Sequence, residues 1–270
     1  MSVELVSVGN ELLIGKTVNT NANWLAKRIT TLGLKVTRIT TVGDDVDEIS
    51  KIIKECLSRR PKFIIVTGGL GPTFDDKTLE GIAKALNMEL KVNDEALRMI
   101  EDKYKRYVKE GRIESFELTP YRVKMATLPE GGNPIPNPVG TAPGVRIKSG
   151  ETEIIALPGV PEEMKAIFDE HIAPLVRKAS KNAVFYEVSL LCIGIVESDL
   201  APLIDKVMHD NPYVYVKSHP KAAEAIPKIE IHLSTTSDDV EKAKARISST
   251  IMQLTELIEK KGGNVRPIKT

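Results

Sequence analysis

A glycine-rich segment followed by two adjacent aspartates is the strongest chemical signal in the sequence. It reads TGGLGPTFDDKT over residues 67–78 and continues an apolar run at 63–67 that is typical of a buried strand. Glycines at such a strand end let backbone N–H groups approach an oxyanion, because no Cβ stands in the way. The segment matches neither the P-loop pattern nor G-x-G-x-x-G, so neither mechanism is assumed. The ligand contacts predicted here are Gly68, Gly69, Gly71, Thr73 and Thr78.

Asp75 and Asp76 add hard oxygen donors to the same segment. Mg²⁺ is commonly bound by one or two carboxylates together with phosphate oxygens of the ligand. We therefore predict that both aspartates hold a divalent cation, and that Asp76 also has a catalytic role. The alternative is a tight turn in which Asp75 or Asp76 caps the following helix, since aspartate is a favoured N-cap residue.

A second polar segment, residues 9–21, follows the first predicted strand. Glu11 is the candidate catalytic base or metal ligand, and Lys16 is a candidate partner for a phosphate. The asparagines offer amide groups for recognition of a neutral ring, although turn and capping roles would explain them almost as well. The ligand contacts predicted here are Gly9, Asn10, Lys16 and Asn21.

Two proline-containing loops complete the predicted site. They read NPVGTAPG at residues 137–144 and LPGVPEE at residues 157–163. Rigid loops of small residues suit the wall of a flat ligand, although the second loop alone is more often just a helix entry. The ligand contacts predicted here are Asn137, Gly140, Thr141, Pro158 and Gly159.

The elements that must position these residues alternate between strand and helix patterns. Apolar runs at 3–8, 36–42 and 63–67 predict strands, with helical periodicity between them at 19–32 and 49–57. This βαβαβ order predicts a largely parallel sheet covered on both faces, an α/β fold. In such sheets ligands bind beyond the carboxyl ends of the strands, so the polar segments are expected to converge there.

Further along the chain, Asp47 is the predicted cap of the helix at 49–57, and a long amphipathic helix is predicted at 94–110. Residues 129–144 contain too many prolines and glycines for regular structure, and a long ordered loop in a compact domain usually has a function. A strand at 154–157 and a helix opening at Pro161 follow.

The apolar periodicity lapses near residues 179–183, which predicts a domain boundary. We assign residues 1–178 to the α/β domain and 179–270 to a small α+β domain, with elements in the order strand, helix, strand, strand, helix. Within it a strand is predicted at 213–217. Lys217, His219 and Lys221 could form a local basic loop that reaches a phosphate, but a solvated hairpin is favoured.

The amino-acid composition limits the classes of partner that the protein is expected to bind. The chain has 38 basic and 37 acidic residues and only 4% aromatics, so no overall field recruits nucleic acid or an anionic membrane. No segment reads as a membrane span or a signal peptide, which makes a cytoplasmic location the expectation. Cys56 and Cys192 lack metal-ligand spacing and are predicted to be buried reduced thiols.

Taken together, the motifs resemble the CinA family. They are GNELL at 9–13, TGGLGPT at 67–73, the aspartates at 75–76, NPVGTAPG at 137–144 and LPGVPEEM at 157–164. They follow one another in this order along about two-thirds of the chain. The amino-terminal domain of that family is similar to the molybdopterin-binding domains of MogA, MoeA and gephyrin.

The resemblance implies a three-layer αβα domain with a mainly parallel sheet, followed by a small KH-like domain. It implies metal-dependent hydrolysis of ADP-ribose to AMP and ribose 5-phosphate, with Mg²⁺, Mn²⁺ or Co²⁺ as cofactor and K⁺ as a further candidate. The alternative is a molybdopterin- or nucleotide-binding protein, either adenylyl-transferring or non-catalytic. The resemblance also favours a homodimer. Because the chain stops at Thr270, the nicotinamide mononucleotide deamidase domain of many members is expected to be absent.

One residue departs from the family pattern. Many CinA sequences have aspartate where this chain has Asn10, and losing that carboxylate removes a charge from any metal site. RNA binding by a KH domain needs a Gly-x-x-Gly loop, and this chain has only Gly194 in the corresponding turn, so nucleic-acid binding is not expected.

Overall fold

A computed structural model describes residues 1–221 and 226–268. The chain divides into two compact units. The first comprises Met1–Thr30 and Leu34–Ala179, and the second comprises Thr31–Gly33 and the segment from Ser180 onwards.

The first unit is built on a six-stranded sheet. The strands of this unit are β1 Ser2–Val8, β2 Lys35–Val42, β3 Phe63–Thr67, β4 Leu90–Val92, β5 Thr127–Pro129, β6 Asn133–Ile135, β7 Gly144–Ser149 and β8 Thr152–Leu157. The sheet order is β2-β1-β3-β8-β7-β6, and β4 pairs separately with β5. The four strands from β2 to β8 are parallel, whereas β7 is antiparallel to both of its neighbours. The mainly parallel α/β sheet predicted from the sequence is therefore confirmed.

Helices connect these strands. They are α1 Asn10–Leu13, α2 Thr20–Thr31, α3 Val46–Ser58, α4 Thr78–Leu86, α5 Asp94–Lys109, α6 Pro120–Lys124, α7 Pro161–Ile167 and α8 Ala173–Ala179, with a π-helical turn, Phe168–Ile172, joining the last two. Asp45, not Asp47, caps α3, because its carboxylate accepts from the N–H groups of Asp47 at 2.9 Å and Glu48 at 3.0 Å. Asp47 instead lies in the first helical turn.

The sheet is the middle of three layers. On one face Val6 and Ile64 join an apolar cluster with residues of α3, α4 and α5. Neighbouring strand residues point to the opposite face, where Leu5 and Ile65 are also fully buried. Helices α2 and α7, with the π-helical turn, bury their own apolar residues there, and Trp24 meets Phe168 edge to face at 5.5 Å.

The prediction that residues 129–144 lack regular structure is wrong in part. Short strands β5 and β6 begin or end within this stretch, and β7 begins at Gly144. Pro134 is tolerated because β6 is the last strand of the sheet, where a missing N–H faces no further partner.

The second unit has an α+β fold, as predicted. Its elements are β9 Val184–Ile193, α9 Glu197–Asp210, β10 Tyr215–Pro220, β11 Lys228–Ser237, α10 Val240–Lys260 and β12 Asn264–Pro267. The four strands form an antiparallel sheet in the order β10-β11-β9-β12. Strand β12 has no counterpart in the prediction.

The basic segment around Lys217 belongs to a solvated hairpin of β10 and β11, as expected, and the predicted strand continues to Pro220. Lys217 and His219 lie on β10 and pair with His232 and Glu230 of β11. Their side chains are exposed because Val214 and Val216, which alternate with them, enter the apolar core. Lys221 lies just beyond the strand.

Both cysteines are buried free thiols, which confirms the prediction. Burial raises the pKa of Cys192, and burial together with the neighbouring Glu4 raises the pKa of Cys56 to about 12. In the described parts of the chain, none of the helices is both long and apolar enough for a membrane crossing.

Candidate functional site

The loops that follow β1, β3 and β8 surround a cleft of about 480 Å³. These strands are neighbours in the sheet and run parallel, so their carboxyl ends meet at one edge. This is where open α/β sheets bind their ligands.

The structure brings most of the predicted site residues together in this cleft. Those that line it are Gly9, Glu11, Asn21, Gly68, Gly69, Gly71, Thr73, Asp75, Asp76, Thr141, Pro158 and Gly159. Five predicted residues lie outside the lining: Asn10, Lys16, Thr78, Asn137 and Gly140.

The loop after β3 requires glycine at its first two positions. Gly68 has φ +98°, and a Cβ there would lie 2.2 Å from the carbonyl oxygen of Val8. Gly69 has φ +64°, and its Cβ would lie 2.4 Å from Thr78 Oγ1. Only glycine combines this backbone conformation with such close approach.

Thr78 holds the loop after β3 in place through a buried hydrogen bond. Its side chain is fully buried, and its hydroxyl donates to the carbonyl oxygen of Gly68 at 2.7 Å. In the part of the chain that the structure describes, the N–H groups of Gly69, Leu70 and Gly71 have no hydrogen-bond acceptor. All three residues line the cleft, so an anionic ligand bound there could accept hydrogen bonds from these groups.

Thr73 organises the two aspartates. Its N–H and hydroxyl both donate to Asp76 Oδ2, at 2.8 and 2.6 Å, and its hydroxyl also contacts the carboxylate of Asp75. The contact with Thr73 holds the pKa of Asp75 below its ordinary value. Neither aspartate caps α4, whose N-cap is Lys77. The alternative in which Asp75 or Asp76 caps the following helix is therefore wrong.

Asn10 is turned towards the end of β2 rather than into the cleft. Its N–H donates to Asp44 Oδ2 at 2.8 Å, and its side-chain oxygen accepts from the N–H of Asp44 at 3.4 Å. Asp44 itself lines the cleft. The sequence reasoning missed Asp44, although its place just after a predicted strand was a usable signal.

Asn137 builds the loop that carries Thr141. Its side-chain oxygen accepts from the N–H groups of Val139 at 3.0 Å and Gly140 at 2.8 Å. Its side-chain nitrogen donates to Ala142 O at 2.8 Å and to Glu163 Oε2 at 2.7 Å. Asn137 thus uses both ends of its amide internally and fixes Glu163, which lines the cleft and was also missed.

Lys103 supports the same loop from α5. Its buried ammonium donates to the carbonyl oxygens of Pro138 at 2.8 Å and Asn137 at 3.4 Å. Burial lowers the pKa of this lysine. The sequence contained a signal for it, since Lys103 lies on the helical stripe that also carries the buried residues Ala96 and Ile100.

Asn21 ties the loop after β8 to α2. Its side-chain nitrogen donates to the carbonyl oxygen of Gly159 at 2.7 Å, and its buried side-chain oxygen has no partner among the described residues. A Cβ on Gly159 would lie 3.3 Å from the Cα of Gly68, so two of the cleft loops approach closely here.

The charged side chains that line the cleft, among the described residues, are all acidic. Among the described residues that line it there is no lysine, arginine or histidine. The acidic lining residues are Glu11, Asp44, Asp75, Asp76 and Glu163. A bare phosphate would be repelled by these carboxylates, whereas a cation would be attracted.

The donor set fits a divalent cation only with help from a ligand. Within residues 1–221 and 226–268, no three His, Cys, Asp or Glu side chains are grouped so that they could hold a metal ion. One or two carboxylates completed by phosphate oxygens and water is, however, a common way to bind Mg²⁺. Asp75 and Asp76, beside the free N–H groups of the glycine loop, match that pattern.

Comparison with known proteins identifies relatives of the whole chain. Residues 4–178 match the family model described as "Probable molybdopterin binding domain". A protein of Pyrobaculum aerophilum is 45% identical over 267 residues, which are 98% of this chain and 97% of that protein. A protein of Sulfolobus acidocaldarius is 42% identical over 266 residues, again 98% and 97% of the two chains.

A solved structure supports the same assignment. The protein CinA of Thermoplasma acidophilum, described as having unknown function, is 43% identical and aligns with a TM-score of 0.57. The alignment covers 63% of this chain and 95% of that one. The chain therefore belongs to the family of the molybdopterin-binding domain and, within it, to the CinA-like proteins.

Proposed function

We propose that this protein binds a phosphorylated pterin or nucleotide in the cleft, together with a divalent cation. The observation that carries the proposal is the pairing of free backbone N–H groups at Gly69 to Gly71 with a lining that is acidic and free of basic side chains among the described residues. The N–H groups would bind phosphate oxygens, and the carboxylates would bind the cation.

The cation resolves an electrostatic conflict. A phosphate beside Asp75 and Asp76 is unfavourable unless a positive charge lies between them. Mg²⁺, Mn²⁺ or Co²⁺ held by these aspartates would neutralise the phosphate charge. In Asp76, Oδ2 is held by two contacts from Thr73, whereas Oδ1 accepts no hydrogen bond from the described residues and is open to the cation.

The family match supports ligand binding better than hydrolysis. It is to a domain named for binding molybdopterin, and hydrolysis of ADP-ribose, which the CinA resemblance implies, gains no support from it. Glu11 lines the cleft as the candidate base, but Asn10, which stands where many CinA sequences have aspartate, is engaged with Asp44. We therefore place binding first and keep hydrolysis as a reaction to be measured.

Isothermal titration calorimetry with AMP, ADP-ribose and a phosphorylated pterin tests the proposal. We expect binding in Mg²⁺ that weakens at least about tenfold in EDTA or in Asp76→Asn, because the phosphate then faces uncompensated carboxylates. Asp199→Asn, an exposed aspartate of α9, is the matched control and should bind like the unchanged protein. Folded protein that binds none of the three ligands would overturn the proposal, and equal affinity in EDTA would remove the cation from it.

The same samples separate binding from turnover. Prolonged incubation with ADP-ribose and Mg²⁺, followed by chromatography, should return the ligand unchanged if the protein only binds. Metal-dependent release of AMP that Asp76→Asn abolishes would establish hydrolysis instead. The homodimer favoured by the resemblance also stays a prediction, which a monomeric mass in light scattering would contradict.

A further inference from the structure

A second cleft of about 500 Å³ lies on the glycine loop next to the first. Its lining is mainly aliphatic and includes Leu79 of α4, Leu118, and Val123 of α6. Leu118 is 37% exposed, so this cleft presents apolar surface to solvent. None of the predicted functional segments accounts for the residues from α6.

The two clefts share one wall. Gly69, Leu70, Gly71 and Asp76 line both. Leu70 is only 5% exposed and packs into the apolar core, and the glycines have no side chains, so the shared wall is largely bare backbone. A ligand bound at this loop therefore contacts residues that line both clefts.

The polar groups of the second cleft lie among its aliphatic residues. Asp76 and Glu80 supply carboxylate oxygens, and Thr127 supplies a hydroxyl. Lys124 also lines this cleft, and its ammonium donates to the carbonyl of Thr73, a residue of the first cleft. Aliphatic surface with hydrogen-bond acceptors suits a flat heterocycle that has apolar faces and N–H groups at its edge.

We infer that the ligand is held in two parts, with its phosphate and sugar in the first cleft and its purine or pterin ring in the second, against Leu79, Leu118 and Val123. This inference rests on the proposed function, because the phosphate end fixes where the ring can reach. It assigns to Leu118 and to Val123 of α6 a role in recognising the base.

AMP and ribose 5-phosphate provide the test, since they differ only at C1′, which carries adenine in AMP and a hydroxyl in ribose 5-phosphate. In Mg²⁺ we expect the unchanged protein to bind AMP at least about tenfold more tightly than ribose 5-phosphate, because the adenine ring is buried in the second cleft. Leu118→Asp and Val123→Trp, which charge and fill that cleft, should reduce the preference to about twofold or less and leave the affinity for ribose 5-phosphate unchanged.

Tyr121→Asp is the matched control, because Tyr121 lies on α6, is 67% exposed and does not line the cleft. It should keep the full preference for AMP. Thermal unfolding of each variant checks that it is folded. Two cleft variants are used so that one can still be tested if the other does not fold.

The outcomes separate the two proposals. If the unchanged protein binds both compounds equally, or if both cleft variants keep the preference for AMP, the two-part placement is wrong while the proposed function stands. If it binds neither compound, the two-part placement is wrong, and the proposed function is overturned with it only when ADP-ribose and the phosphorylated pterin also fail to bind.

Discussion

The carboxylate of Glu163 lies directly against the Cα of Gly140. A Cβ at position 140 would come within 2.0 Å of Glu163 Oε2, and the same oxygen accepts from Asn137 at 2.7 Å. The absence of a side chain at Gly140 thus allows α7 to place a carboxylate at the cleft. Asn137 holds that carboxylate from one side and the loop backbone from the other.

Gly140→Ala is expected to weaken cation-dependent ligand binding several-fold while changing the free energy of unfolding by less than about 1 kcal/mol. The clash is with the end of a flexible side chain, which can rotate away cheaply, but this removes the carboxylate from its place in the cleft. Calorimetry in Mg²⁺ and urea denaturation measure the two effects.

The double variant Gly140→Ala, Glu163→Ala distinguishes this mechanism from general damage to the loop. Because both changes act through one carboxylate, the double variant should bind no worse than Glu163→Ala alone. Additive losses would show that residue 140 acts through something other than Glu163.

The parts of the site that follow directly from local sequence were predictable. An apolar run such as 63–67 is buried on both faces in the structure, and its position fixes where the glycines at 68, 69 and 71 must lie. Parallel order then brings the loop after β1 beside it, because neighbouring parallel strands end at the same edge.

The parts that depend on long-range contacts were not predictable. Glu163 lies 26 residues from Asn137, and Asp44 lies 34 residues from Asn10, and neither pair has a local pattern that announces it. Strands β6 and β7 extend the sheet antiparallel after β8, which local apolar periodicity does not reveal because prolines and glycines interrupt it. Lys103 was missed because a lysine on an apolar stripe reads as an exposed residue until its carbonyl partners are known.

Thr78→Val should destabilise the protein by about 1–3 kcal/mol, because it keeps the shape of the side chain and leaves the buried carbonyl of Gly68 without its donor. The glycine loop would also lose its fixed position, so ligand affinity should fall. Urea denaturation and calorimetry measure the two effects. Thr78→Ser, which keeps the hydroxyl, should lose less than Thr78→Val in both, and equal losses would show that the hydrogen bond is unimportant.

Gly68→Ala should be the most damaging of the glycine substitutions, at about 3 kcal/mol or more, because it combines a left-handed φ with a clash against rigid backbone. Its Cβ would lie 2.2 Å from Val8 O. Gly150→Ala is the matched control, because Gly150 also has a positive φ, +59°, but open space where the Cβ would be.

The control isolates the steric part of the effect. Gly150→Ala should cost only about 1 kcal/mol, the strain of the backbone conformation alone. Equal destabilisation of the two variants in urea would mean that strain, rather than the approach of β1 to the glycine loop, sets the requirement for glycine.

Thr73→Val should raise the pKa of Asp75 towards the ordinary aspartate value, because the contact with the Thr73 hydroxyl is the main cause that lowers it. Because the pKa of Asp75 is lower in the folded protein than in the unfolded chain, the contact stabilises the fold at pH values above the unfolded pKa of about 3.9. This stabilisation is lost as the pH falls through the folded pKa. The pKa of Asp75 can be measured from its carboxyl carbon shift in an NMR titration between about pH 2 and pH 6, roughly two units on either side of the unfolded pKa. Thr73→Ser keeps the donor and should leave the titration unchanged. An unchanged pKa in Thr73→Val would show that the nearby lysines, Lys77 and Lys124, set the ionisation of Asp75 instead.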